Sequence, residues 1–147
     1  MSENIASILK SKGSTTWCVA PDTTVYEALA LMAERSIGAV LVLSEGRLAG
    51  IMSERDYARK IVLHGKTSKD TLVHEIMTRS PVTVTPDHTV DECMVIMTQA
   101  RVRHLPVLNG DRLAGIVSIG DLVNAIISAQ ADTIHQLHTY ISGTYPS

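Results

Sequence analysis

Phenylalanine is absent from this chain, and one tryptophan with four tyrosines leaves aromatics at three per cent. So few rings, together with a formal charge of −2, provide neither a basic stripe nor a stacking platform, so nucleic acid is not an expected partner. Cysteine is equally scarce. Cys18 and Cys93 make a poor disulfide framework and read as reduced thiols, packing residues rather than nucleophiles. No apolar run approaches the roughly 20 residues that span a bilayer, so membrane insertion is not expected. Met1-Ser2-Glu3-Asn4 has an acid where a secretory signal carries positive charge, and no long apolar segment follows. The expected location is cytoplasmic.

What the chain does contain is one segment written twice. Val19-Ala20-Pro21-Asp22 through Leu48-Ala49-Gly50-Ile51 to Ser53 and Asp56 returns, 65 residues on and without a gap, as Val84-Thr85-Pro86-Asp87 through Leu113-Ala114-Gly115-Ile116 to Ser118 and Asp121. Val19 to Tyr57 against Val84 to Leu122 gives 16 identities in 39 positions, too many for unrelated segments. At 147 residues, with 45% hydrophobic and 19% charged, both copies together make one ordinary globular module. Two copies of one unit pack about a pseudo-twofold axis, so whatever they build together comes in pairs.

Each copy opens on Pro-Asp and then Thr-x-x-Glu, at Thr24 and Glu27 and at Thr89 and Glu92, a helix-capping signature. Helical apolar spacing follows, through Val25, Ala28, Leu29 and Met32 and through Val90, Cys93, Met94 and Met97, with the methionines as core filler. A β-hairpin is predicted next in each, over Ala39 to Met52 and Leu105 to Val117. Pro106 lacks a donor, so its strand should leave part of its backbone unpaired. A second helix then carries Tyr57, Ala58, Ile61 and Val62, or Leu122, Val123, Ile126 and Ile127. The expected division is an N-terminal helix in 1–14, the first repeat in 15–64, a linker and lead-in in 65–79, the second repeat in 80–128, and a C-terminal helix and tail in 129–147. The flanking helices, Glu3 to Lys12 and Ala129 to Ile141, should pack on the module or on a partner subunit.

The hairpins end in Gly50-Ile51-Met52-Ser53-Glu54-Arg55-Asp56 and Gly115-Ile116-Val117-Ser118-Ile119-Gly120-Asp121. Each is a strand end turning into a helix, with free backbone N–H groups suited to an anion and an aspartate suited to the vicinal hydroxyls of a ribose. Ser-x-x-Asp is equally a capping box, and duplicated helices need duplicated caps. Both readings remain open on the residues alone.

The whole pattern resembles the CBS domain, a small β-α-β-β-α unit found in tandem as a Bateman module. The resemblance rests on the strands Ala39-Val40-Leu41-Val42 and His104-Leu105-Pro106-Val107, the two Gly-hydrophobic-x-Ser-x-x-Asp heptads, and Ile76-Met77-Thr78 ahead of the second copy. It covers about Thr15 to Ser128. It implies an α+β CBS-domain pair with flanking N- and C-terminal helices, and two clefts that take adenine nucleotides: AMP first, with ADP, ATP or NAD as further candidates. By position, Asp56 and Asp121 would hold ribose hydroxyls, and Ser53 and Ser118 would lie at phosphate or ribose. Ile51 and Ile116 of the same heptads would line the clefts, with backbone around Gly38, Arg103, His104 and Leu105 facing the base. Trp17 and Val82, on segments expected to cross over, would line the opposite cleft, and Trp17 would either stack on a base or be ordinarily buried.

The copies differ in charge: the first sets Arg55, Arg59 and Lys60 near its aspartate, the second Arg101, Arg103 and His104. A guanidinium grips phosphate bidentately, so Arg55 is a candidate ligand residue. The resemblance further implies a homodimer and an unidentified protein target. No nucleophile and base pair stands out, no separate catalytic domain is expected, and no enzyme activity is expected. His135 and His138 lack a completing ligand, so no metal is expected. The competing reading is a structural dimerisation module whose clefts are empty or hold S-adenosylmethionine.

Overall fold

The computed structural model describes residues 3–13 and 15–141; the expected tail beyond Ile141 lies outside them. The chain opens with α1 (Ile5–Lys12), capped by the Asn4 side chain, which accepts from Ser7 N–H at 3.0 Å, and stopped at Gly13, whose φ of 94° favours glycine. Strand β1 (Cys18–Val19), helix α2 (Val25–Arg35) and the hairpin β2 (Ala39–Ser44) and β3 (Arg47–Ser53) follow in the expected order. After the second helix of the first copy, α3 (Glu54–Tyr57), short α4 (Val73–Ile76) and β4 (Thr78–Arg79) precede the second copy, with α5 (Val90–Ala100), β5 (His104–Asn109) and β6 (Arg112–Ser118). Strands run β1-β2-β3-β4 in one sheet and β5-β6 in the other. Both hairpins share one register, including a shift at the equivalent steps Val42/Leu43 and Val107/Leu108.

The lead-in helices are exchanged. α1 precedes the first copy but buries Ile5, Ile8 and Leu9 against Val84, Val90 and Leu122 of the second. α4 precedes the second copy but buries Val73 and Ile76 against Val25, Val40 and Met52 of the first. The same backbone bonds hold both: Ile5 N–H donates to His88 C=O and Ala6 to Pro86, while Val73 donates to Thr23 and His74 to Pro21. The first turn of α2 is closed by Val25 N–H on Thr71 C=O, and that of α5 by Val90 N–H on Glu3 C=O. The polar linker therefore ends in structure, with Thr71 buried at 4% exposure and its hydroxyl on Thr67 C=O at 2.7 Å. Each buried aliphatic of α1 contributes about 1.5–3 kcal/mol relative to exposure, which seats the helix firmly on the far copy.

The exchange explains the repeated glycine. A Cβ on Gly50 would stand 2.6 Å from the Thr78 carbonyl and 2.8 Å from Met77 Sδ, and one on Gly115 would stand 2.7 Å from Leu9 Cδ2. The lead-in segments lie directly on these strands.

Pro106 has the effect its missing donor implies. In the first copy Leu41 N–H donates to Trp17 C=O at 3.1 Å, and β1 pairs with β2 over Cys18 and Val19. Pro106 occupies the position of Leu41, so the matching bond to Val82 cannot form, and the parallel pairing shrinks to a single bridge between Val84 and Val107. Between the two sheets Ala39, Leu41 and Ile51 are buried, with Ile116 and Leu113 packed on them, and this cluster forms the seam of the pair.

Three expectations need correction. The segments at Trp17 and Val82 do not cross over: Leu41 N–H donates to Trp17 C=O and Val84 bridges Val107, each within its own copy, and the exchanged segments are α1 and α4. In the first copy α3 widens into a π-turn over Ala58–Val62, and Val62 is exposed instead of joining the buried stripe. In the second copy the second helix and the C-terminal flanking helix are one element, α6 (Ile119–Ile141), because neither glycine nor proline interrupts Asp121 to Ile141. Ile127 likewise faces outward.

Candidate functional site

Both Ser-x-x-Asp segments fold as capping boxes. Ser53 N–H donates to Asp56 Oδ2 at 3.0 Å and Asp56 N–H donates back to Ser53 Oγ at 3.2 Å. Ser118 N–H donates to Asp121 Oδ2 at 2.8 Å and Asp121 N–H to Ser118 Oγ at 3.1 Å. The strand-to-helix corner is held on its inner side in both copies as well, by Glu54 N–H on Gly38 C=O and Ile119 N–H on Arg103 C=O. The capping role is thus present at both heptads. It leaves each carboxylate partly open, with side-chain exposures of 13% for Asp56 and 21% for Asp121.

A lysine meets each aspartate at its open side. Lys60 Nζ lies 3.2 Å from Asp56 Oδ1 and donates to Ile76 C=O at 2.8 Å, while the Thr78 hydroxyl donates to the same Oδ1 at 3.3 Å. Lys12 Nζ lies 2.7 Å from Asp121 Oδ2 and donates to Ile116 C=O at 3.0 Å. Burial pushes the Asp121 carboxyl up, but the Lys12 ammonium and the Ser118 donors outweigh it and hold the group below its ordinary value. Each corner is therefore a carboxylate and an ammonium side by side, one able to accept from a diol and the other able to pair with a phosphate.

Lys12 was not among the residues expected from the sequence. It stands 109 positions before its aspartate and reaches it only because α1 is exchanged onto the second copy. A signal was present: Ile5-Ala6-Ser7-Ile8-Leu9 matches Val73-His74-Glu75-Ile76-Met77 in pattern, which marks α1 as the first copy's own lead-in. Lys60 is legible as the i, i+4 partner of Asp56.

The remaining candidates divide. Ile51 and Ile116 meet at the seam between the sheets, at the mouths of the two corners. Gly38 and His104 meet across it: a Cβ on Gly38 would stand 3.4 Å from His104 Cε1, with Glu54 Oε1 at 3.9 Å. Burial lowers the His104 pKa against the pull of Asp121 and Glu54, with Lys12 and Arg103 acting in the same direction as burial. The Leu105 side chain is fully buried in the second core, so only its backbone can face a ligand. Val82 is 44% exposed. Trp17 is half-buried with the Arg35 guanidinium stacked 4.1 Å above its ring. Arg55 does not turn toward Asp56; its Nη1 donates to Arg101 C=O at 2.6 Å, capping α5 and tying the two copies together. A groove of about 610 Å³ opens beside Gly38, Ile37, Glu54 and Tyr57.

An exchanged pair of β-α-β-β-α units with twin Ser-x-x-Asp corners defines a tandem two-repeat module, and the CBS domain model matches residues 5–63 and 73–128. The chain belongs to the CBS domain family. The CBS domain-containing protein CBSX3, mitochondrial, of Arabidopsis thaliana is 41% identical over 98% of this chain and 74% of its own length. A CBS-domain protein of Burkholderia ambifaria MC40-6, described as acting in signal transduction, superposes with a TM-score of 0.84 at 50% identity, over 87% of this chain and 96% of that one. The CBS domain pair of protein MJ0100, solved with 5′-methylthioadenosine and S-adenosyl-L-methionine, shares the fold with a TM-score of 0.77 at 24% identity, over 88% and 99%. None of these names is that of an enzyme. No helix among the described residues is long and apolar enough to cross a membrane.

Proposed function

We propose that this protein is a cytoplasmic, non-catalytic regulatory module that binds adenine nucleotides in one or both clefts between its repeats. AMP is the first candidate, with ADP, ATP or NAD as alternatives. It works as a homodimer and passes the signal to another protein by contact. The observation that carries this reading is the duplicated pairing of carboxylate and lysine, Asp56 with Lys60 and Asp121 with Lys12, beside backbone at Gly38 and His104. The arrangement suits an adenosine phosphate: the ribose diol donates to the aspartate, and the phosphate takes the ammonium that the aspartate releases. Ser53, Ser118 and the exposed side chains of Arg55 and Arg103 border the phosphate side.

The two ligands of MJ0100 both carry adenosine, which supports adenosine chemistry without choosing among its members. They also keep a second reading in play, in which the clefts hold S-adenosylmethionine or stay empty and the module serves dimerisation.

A thermal-shift panel of AMP, ADP, ATP, NAD and S-adenosylmethionine tests both. Ligand at a hundredfold excess over its dissociation constant stabilises the fold by about 2.7 kcal/mol. AMP should give the largest shift, and Asp121→Ala should weaken its binding in calorimetry while the variant remains folded. A panel with no response excludes the nucleotide reading, a response to S-adenosylmethionine alone favours the second, and nucleotide turnover shows an enzyme instead.

A further inference from the structure

The two Ser-x-x-Asp corners look alike in outline but differ in which atoms remain free for a ligand. At the first, both oxygens of Asp56 are engaged: Oδ2 accepts from Ser53 N–H at 3.0 Å and from the Ser53 hydroxyl at 3.1 Å, while Oδ1 takes the Thr78 hydroxyl at 3.3 Å and faces Lys60 Nζ at 3.2 Å. A vicinal diol that donates to this carboxylate must first displace a protein partner. The cations are engaged too. Lys60 donates to Ile76 C=O, and Arg55 Nη1 donates to Arg101 C=O. These bonds tie β3, α3 and its π-turn to α4, β4 and the end of α5, so the first corner works as a joint.

At the second corner the bonds gather on one side. Ser118 N–H at 2.8 Å and Lys12 Nζ at 2.7 Å both meet Asp121 Oδ2, and no described residue donates to Oδ1. The lead-in residue that matches Thr78 is Lys10, so no hydroxyl stands there to close Oδ1. His104 widens the contrast. Neither of its ring nitrogens is hydrogen-bonded to a described residue, and Asp121 acts on its charge more strongly than Glu54 of the first corner does. Among the described residues no polar side-chain atom is buried without a partner, so Asp121 Oδ1 and the His104 nitrogens face open space. A carboxylate oxygen and an imidazole are thus left unspent at this corner alone.

Lys12 makes the opening selective. Its ammonium rests on Asp121 Oδ2 and on the Ile116 carbonyl at 3.0 Å, with its side chain 35% exposed. A lysine carries its charge on a flexible four-carbon stem, so the ammonium can turn from the aspartate to an incoming anion while Ile5, Ile8 and Leu9 keep α1 seated. A ligand with a phosphate brings Lys12 a new counter-ion as its diol takes the aspartate. An uncharged nucleoside competes for the aspartate and offers the ammonium nothing in return.

We propose that each chain binds one adenine nucleotide, in the cleft at Asp121, and that Lys12 sets the preference for phosphate there, while the corner at Asp56 holds the repeats together. This rests on the nucleotide reading above and deepens it by assigning the cleft and the residue that selects phosphate.

Calorimetric titration of the full chain with AMP should give one site per chain. Lys12→Met should reduce the preference for AMP over adenosine at least tenfold, and Lys12→Arg, which keeps the charge, should retain that preference. The Lys12 side chain lies outside the buried cores, so both variants should unfold cooperatively. Asp121→Asn should remove the AMP titration and leave no second site behind. A parent chain that binds neither AMP nor adenosine overturns this inference together with the nucleotide reading. Two AMP per chain, a preference for AMP that survives Lys12→Met, or a site of parental affinity in Asp121→Asn overturns this inference alone.

Discussion

The two repeats reach the same corner by different routes. In the first, the counter-ion of the aspartate is local: Lys60 sits one turn past Asp56 on the same helical segment, where that segment widens into a π-turn. In the second, the equivalent position is Ala125, and the ammonium arrives from α1 at the other end of the chain. Both corners pair their aspartate with a lysine, but from different places in the chain. One aspartate is thus tied to its own helix, and the other is tied to the seating of α1. The strands show a similar contrast, since the first copy pairs β1 with β2 over two residues and the second, with Pro106, keeps only one bridge.

The sharpest way to break the symmetry is at the glycines beneath the exchanged helices. Gly50→Ala drives a methyl against the Thr78 carbonyl, which backbone pairing to β3 holds in place, so a loss of about 3 kcal/mol is expected. Gly115→Ala meets the end of the Leu9 side chain, which can turn aside, and should cost about 1 kcal/mol. Urea denaturation of both variants measures the difference. Equal losses would mean that the two lead-in helices are equally rigid, contrary to the geometry.

An intermediate effect concerns His104, which occupies the position of Ala39. Its folded-state pKa lies below the ordinary 6.5, mainly through burial, so the unfolded chain takes up the proton first. Stability is complete above 6.5 and falls as pH drops below it toward the folded value. Asp121 adds a second loss, at pH below the ordinary carboxylate value, as acid protonates the group that Lys12 and Ser118 hold ionised. Urea midpoints followed downward in pH should show both steps in the parent chain. His104→Ala should remove the upper step and leave the lower, and a variant that keeps both would free His104 of responsibility.

The smallest effect is expected from Pro106→Leu. It restores the donor that Leu41 has, and the new N–H can reach the Val82 carbonyl for a gain of about 0.5–1.5 kcal/mol, reduced by the greater freedom of the unfolded chain. Hydrogen exchange should show the new amide protected like that of Leu41. An unprotected amide would mean that Pro106 is not what shortens the pairing.

Much of this molecule was legible in residues alone because the duplication supplies its own control. Capping threonines, hairpins and Ser-x-x-Asp corners recur at fixed spacing, and local rules govern all three: side-chain caps, period-two apolar runs and turn residues. The π-turn was not legible, because Ala58–Val62 has an ordinary helical pattern. Nor was the long-range contact of Arg55, whose Nη1 donates to the carbonyl ending α5, 46 residues away.

By itself, the sequence determined the repeat, the hairpins, the family and the two Ser-x-x-Asp caps, since each is written in patterns of a few neighbouring positions. Only the tertiary structure decided that α1 and α4 trade places, that Gly50 and Gly115 lie beneath them, and that Lys12 closes the second corner. Those are contacts between residues far apart in the chain, set by which apolar face buries against which, and no local pattern specifies that choice.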